Sequence, residues 1–221
     1  MKWETIKEDG SVKDIPAWTG SIPLPDKVSE PIEYFRYYYD LDLLNLICKE
    51  SNLFASQTSD VDLNLEVKEL EVFIGIAMYM SLIKLPRSRQ YWSTETEVIA
   101  VSEYMGCKRW ETIKSFIHFA DNEKAPAKGQ PGYNKVYKIR PLLNHLNSKC
   151  NQIPRGENLC IDEQMVPYSG KRGPRYYIKG KPNPWGFKVW SLCDSFGILY
   201  NFDVCIGAIP KQEGFVNYRS S

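Results

Sequence analysis

From Asn158 onward the residues read as β-sheet. Three runs rich in β-branched and aromatic side chains, NLCIDEQMVPY (158–168), GFKVWSLCDS (186–195) and ILYNFDVCIG (198–207), are divided by Gly, Pro, Ser and Asp. Short separations favour antiparallel pairing, so the runs predict a three-stranded meander with Gly197 in the turn between the second and third. Three strands with one apolar face need something to cover that face. The β part therefore reads as the opening of a larger sheet.

The chain before this point has a different period. Residues 1–31 are polar and punctuated by Pro16, Pro23, Pro25 and Pro31, and read as an extended lead-in. From residue 32 to about 155 the pattern is helical. IEYFRYYYDLDLLNLICKESN puts Ile32, Phe35, Tyr39, Leu43, Leu46 and Ile47 near one face of a helix. LEVKELEVFIGIAMYMSLIKLP is apolar on every side in its second half, which predicts a central core helix stopped by Pro86. Shorter helices are expected over TEVIAVSEYM and RWETIKSFIHFA, the latter with a stripe of Trp110, Ile113, Phe116, Ile117 and Ala120. DNEKAPAKGQPGYN (121–134) reads as a solvated loop and a candidate boundary or hinge. VYKIRPLLNHLNSKC reads as a helix with Pro141 near its first turn. The fold class is thus α+β, helices first and antiparallel strands after. No internal repeat is present.

Composition limits the function classes. Of 221 residues, 43% are hydrophobic and 25% charged, enough for a real core. A net charge of +1 says nothing about nucleic acid, so only local clustering can. The longest nearly apolar run, Val72 to Ile83, is well short of the roughly 20 residues that span a bilayer, so no membrane partner is expected. The N-terminal MKWETIKEDG lacks the apolar core of a secretory signal, and an intracellular protein is the default expectation. Six cysteines without a CxxC pair, and only two histidines, argue against a zinc finger or ribbon. Those cysteines read as small, mostly buried thiols rather than disulfides.

Two features carry possible chemistry. Asp162 and Glu163 are adjacent, so on a strand they point to opposite faces and cannot form an acid/base dyad. An unpaired carboxylate in a sheet is costly, so one of them should meet a cation, a metal or water. Either a metal-binding Asp at a strand end or a carboxylate paired with a nearby Lys or Arg satisfies this. The second feature is the segment from Ser169 to Trp190. It holds Lys171, Arg172, Arg175, Lys179, Lys181 and Lys188 with no acidic residue, interleaved with Tyr176, Tyr177, Trp185, Phe187 and Trp190. Cations suit phosphates and aromatic rings suit bases or sugars, which favours nucleic-acid contact over a plain solvated hairpin. GKRGPR lacks P-loop spacing. YWST (91–94) reads as an aromatic core plug, His118 and His145 as ordinary histidines, and Asp194 as a turn former. No Ser/His/Asp or Cys/His set is apparent.

The chain resembles the piggyBac transposase family, in particular its domesticated, transposable element-derived members. AWTG, YFRYYYDLDLLNLICKESNLFA, KELEVFIGIAMYMSLIKLPRSRQYWS, RWETIKSFIHFADN, KIRPLLNHLN and LCIDEQMVPYSGKRGPRYYIKGKPNPWGFKVWSLCDSFGILYNFDVCIG follow in family order over most of residues 17–207. The resemblance implies a helical dimerisation and DNA-binding-like region over 32–155 and the start of an RNase H-like transposase domain over 156–208, after the 1–31 lead-in and before a divergent 209–221 tail. It further implies that Asp162 is the first of three catalytic Asp residues, which in the family hold two divalent metals, Mg for the full-length protein. The second and third would lie beyond this chain. Asp194 and Asp203 do not match them. The expectation is a truncated, nuclear, DNA-binding protein that binds no cofactor, is not an enzyme and forms a possible homodimer. The alternatives are a dimerisation module that does not bind DNA, or the front end of an active cut-and-paste transposase.

Overall fold

Asp40 divides the first predicted helix in two. Its carboxylate accepts the Leu43 N–H at 3.0 Å, the bond of an N-cap, and this starts a new helix although the apolar period continues across the break. The structure, a computed structural model, describes Gly20, residues 28–59, 61–168, Gly170 and residues 175–206. Most of the expected lead-in, and all of the 209–221 tail, lie outside the described residues. Two compact units divide between Lys149 and Cys150, rather than in the 121–134 loop expected to be a boundary.

The unit ending at Lys149 is helical. Its elements are α1 (Pro31–Tyr38), α2 (Leu41–Thr58), α3 (Val67–Leu82), a 3-10 turn (Ser88–Trp92), the single turn α4 (Ile99–Ser102), α5 (Cys107–Phe116) and most of α6 (Arg140–Asn151). TEVIAVSEYM thus forms one turn only. Pro141 stands in the first turn of α6, where its missing N–H is harmless. The core gathers Leu43, Leu44 and Ile47 of α2, Leu70, Phe73 and Ile76 of α3, and Trp110 and Ile113 of α5. Asn52 holds the extended segment before α3 like a strand partner. Its side chain donates to the Leu65 carbonyl (3.1 Å) and accepts the Leu65 N–H (2.8 Å), which keeps Leu63 and Leu65 buried. Arg109 grips Glu69 with two bonds (2.6 and 2.5 Å) and donates to the Leu63 carbonyl at 2.9 Å.

YWST is the core plug its composition suggests. Tyr91 is buried; its hydroxyl donates to the Ile83 carbonyl and accepts the Leu85 N–H (3.1 Å). Trp92 donates to the Met105 carbonyl at 2.7 Å and packs on Trp110. Three expectations fail. α3 is not buried all round: Leu70, Phe73 and Ile76 are buried and Val72, Ile74, Tyr79 and Met80 pack partly against the core, but Met78 is 54% and Leu82 81% exposed. It also stops at Leu82, with Ile83 already extended, short of Pro86. The cysteines are not mostly buried either. Cys48 and Cys150 are, but Cys160 is exposed and Cys107, Cys193 and Cys205 are half-buried.

Neither histidine stands alone. His118 stacks on Phe54 with ring centroids 3.5 Å apart, and burial together with the charge of Lys138 lowers its pKa. His145 lies 3.5 Å from Asp40, which also pairs with Lys149 at 2.7 Å. Burial works against the charged Asp40 carboxyl. The Lys149 and Leu43 hydrogen bonds and the charges of His145 and Lys149 outweigh it and hold the pKa below its ordinary 3.8.

The second unit carries the sheet: β1 (Leu159–Pro167), β2 (Tyr176–Tyr177), β3 (Trp185–Asp194) and β4 (Leu199–Val204). The three expected strands pair antiparallel in the expected order, and the two-residue β2 is an addition. β3 is central. β1 lies along one edge of it in an unbroken register from Leu159↔Asp194 to Pro167↔Gly186; β4 and β2 share the other edge. Among the described residues no strand pairs with the outer edge of β1. Asp194 builds the β3–β4 turn: its carboxylate accepts the Phe196 and Ile198 N–H groups (both 2.9 Å) and the hydroxyl of buried Tyr200 (2.9 Å), while Gly197 takes φ +82°. At the other end of β3, Gly186 is buried so close to β1 that a Cβ there would meet the Val166 carbonyl.

Two tests follow from this packing. A group with a lowered folded pKa stabilises above its unfolded pKa, and that stability is lost as pH falls through the folded value. Asp40→Asn, which keeps a capping oxygen, should therefore melt with a flatter acid limb below about pH 4 than the parent. Gly186→Ala should destabilise the sheet by about 3 kcal/mol in denaturant unfolding, because the β1 backbone cannot yield as a side chain would.

Candidate nucleic-acid interface

Strand alternation decides where each candidate residue faces. Asp162 lies opposite Ser191 and Glu163 opposite Trp190, so the adjacent carboxylates occupy opposite faces of the sheet, as their spacing requires. Glu163 is the one that meets cations. Its carboxylate is 3.9 Å from both Lys181 and Lys188, and the Lys181 ammonium also donates to the Glu163 carbonyl at 3.3 Å. Lys188 in turn lies over the Trp190 ring, 4.1 Å from its centroid. On this face Glu163, Lys181, Lys188 and the Trp190 indole form one interacting set.

Asp162 is exposed and its carboxylate accepts the N–H of its neighbour Glu163 (2.7 Å). Opposite it, Ser191 is buried and its hydroxyl has no partner among the described residues. Asp203 lies opposite Trp190, on the Glu163 face. Among the described residues no group of three or more His, Cys, Asp or Glu could hold a metal ion. A two-metal centre needs several carboxylates converging on one point, and the described residues do not supply them.

Arg175, Tyr177 and Trp185 form a second aromatic set. Tyr176 and Tyr177 pair with Gly186 and Trp185, and the Ile178 N–H to Pro184 carbonyl bond (2.9 Å) closes the turn that carries Lys179, Gly180 and Lys181. Gly180 has φ +90°, a conformation that side chains resist. The Arg175 guanidinium lies 4.4 Å from the Trp185 centroid, and Tyr177 packs on the same ring at 4.9 Å. Tyr177 and Trp185 remain about half exposed, at 55% and 49%. By alternation along β3, Trp185 shares a face with Ser191 and hence with Asp162, six residues or about 20 Å away.

The four described basic residues therefore do not form one cluster. Lys181 and Lys188 sit with Glu163, Arg175 with Trp185, and Lys179 is exposed at the turn. Lys171 and Arg172 lie outside the described residues. The sequence reading missed Ser191, the two-residue β2 and the direct apposition of Cys160 and Cys193. Sliding the first two β runs past each other antiparallel, with Gly186 beside the chain at Pro167, would have exposed all but β2.

Comparison with known proteins accords with this architecture. A family profile described as Transposase IS4 matches residues 30–216. The human PiggyBac transposable element-derived protein 3 is 36% identical over 186 residues, covering 83% of this chain and 30% of that protein. The human PiggyBac transposable element-derived protein 2 is 32% identical over 205 residues, covering 89% and 33%. The chain thus spans about a third of the curated relatives it matches. A piggyBac transposase solved in a synaptic complex with hairpin DNA superposes with a TM-score of 0.73 at 21% identity, covering 85% of this chain and 41% of that one. No helix among the described residues is long and apolar enough to cross a membrane. Helices followed by an antiparallel sheet, with the profile match over most of the chain, show that the chain belongs to the piggyBac-type Transposase IS4 family.

Proposed function

We propose that this chain contacts DNA through its β2–β3 hairpin, as part of a domesticated, piggyBac-derived nuclear protein. The observation that carries the reading is Arg175 laid over the half-exposed Trp185 ring, with Lys179 and Lys181 on the adjoining turn. A cation beside an aromatic face suits a nucleic-acid strand: the charge meets phosphate and the ring meets a sugar or base. The related structure solved with hairpin DNA supports the same reading. On this reading Asp162 is the vestige of the family's first catalytic residue, in an RNase H-like sheet.

We further propose that these residues alone neither cut nor join DNA. The support is Asp162's position, with Ser191 opposite it and the nearby acidic residues Glu163 and Asp203 on the other face. Active family members need Mg held by three carboxylates, so the same residues within a longer protein would be the front end of a transposase.

A homodimer formed through the helical half is a second reading. It is favoured by the exposed apolar side chains of Met78 and Leu82 on α3 and of Ile83 just after it.

Two measurements test these readings. Affinity for a short duplex should fall with salt. Arg175→Gln with Lys179→Gln should reduce the log–log slope by about 0.9 for each phosphate that is no longer neutralised. A slope near zero, or one unchanged in the double variant, contradicts hairpin binding; if sedimentation then finds a dimer without DNA, the second reading stands. Incubation of supercoiled DNA with Mg²⁺ or Mn²⁺ should leave it intact, and metal-dependent nicking that disappears in Asp162→Ala would contradict inactivity.

A further inference from the structure

Cys160 on β1 and Cys193 on β3 are direct partners in the antiparallel register. Residues so paired point to the same face. Their Cα atoms stand about 4.5–5.5 Å apart, inside the range that a disulfide spans. Their Cβ atoms, about 4.5–5.5 Å apart in such pairs, need to close by roughly an ångström at most. Burial is the main cause that raises the Cys193 pKa, and the charges of Asp194 and of Cys160 add to it. Access is asymmetric: Cys160 is exposed and Cys193 half-buried.

No other two of the six cysteines share a strand register. Cys48 and Cys150 are buried, Cys107 lies on α5, and Cys205 is hydrogen-bonded to the Tyr176 hydroxyl at 3.3 Å. β1 is an edge strand held among the described residues by β3 alone. A bond at 160–193 would tie it at the end remote from the close Gly186–Val166 approach. It would also enclose the whole segment from Ile161 to Leu192, which includes Asp162, Glu163 and the basic, aromatic hairpin.

We propose that Cys160 and Cys193 form a thiol-oxidation site that closes into a cross-strand disulfide on reaction with a small-molecule disulfide such as oxidised glutathione. The exposed Cys160 attacks first, as thiolate, on one glutathione sulfur. The glutathione S–S bond breaks, one glutathione leaves as thiolate, and a mixed disulfide remains on Cys160. Cys193, deprotonated in turn, attacks the Cys160 sulfur, and the second glutathione leaves. The protein gives up two electrons and two protons, which end on the two glutathione thiols. Reduced glutathione in excess reverses both steps. Cys193 suits the resolving role because the strand register holds it beside Cys160.

The test is peptide mapping without reduction, after the folded chain has been equilibrated with oxidised glutathione. The expected result is a linked peptide pair containing Cys160 and Cys193, present in the parent and in Cys48→Ser, absent in Cys160→Ser and in Cys193→Ser, and lost on adding excess reduced glutathione. Amide exchange over 159–167 should slow at least several-fold in the oxidised form. Glutathione retained on Cys160 with no linked pair, or linkage of Cys160 to another cysteine, would overturn the proposal. If a serine variant fails to fold, the peptide map of the parent protein still decides between these outcomes.

Discussion

The site depends on the antiparallel pairing of β1 with β3. Nine consecutive partners, from Leu159↔Asp194 to Pro167↔Gly186, leave no bulge in which parity could change. A slip of one residue would exchange the faces of Asp162 and Glu163, and with them every other side chain of β1. The register is held at both ends. At one end Gly186 admits the Val166 carbonyl where any side chain would collide; at the other Asp194 gathers two backbone N–H groups and the Tyr200 hydroxyl into the turn to β4.

That parity sorts the charges. Glu163 falls on the face that Lys188 and Lys181 reach, and serves two ammonium groups at 3.9 Å each. Pairs this long and this exposed contribute at most about 1 kcal/mol, so their importance is positional. They hold Lys188 across Trp190, on the face opposite the one where Asp162 is exposed across from Ser191. Arg175 lies on the Asp162 face but at the far end of β3, stacked on Trp185. Adjacent in sequence, the two carboxylates therefore have different surroundings: Glu163 lies beside Lys181 and Lys188, and Asp162 accepts the Glu163 N–H on the other face.

The strands, their order and the opposite facing of Asp162 and Glu163 were legible in the sequence, because they follow from a period of two and from short connections. The Trp110–Ile113 stripe, the Asp194 turn and the place of Pro141 were equally legible, each having a local cause. The break at Asp40 was not. There a capping bond interrupts a helix whose apolar spacing runs on, and the other two partners of Asp40, His145 and Lys149, come from more than a hundred residues away. The exposed side of α3 was hidden for a related reason: an all-round apolar pattern says what a helix could bury, not which side finds a partner. The basic segment read as one patch because its charges are close in sequence. The turn at 178–184 and the alternation of β3 distribute them over both faces, and neither could be derived from composition.

Hydrogen exchange with and without a short duplex tests the central claim most directly, since it reports on each strand separately. If the hairpin carries the DNA contact, amides of residues 175–190 should gain protection on adding duplex at low salt, and lose that gain as salt rises. Protection confined to the helices at 31–58 and 107–116, or an unchanged exchange pattern under conditions where the chain binds, would contradict it.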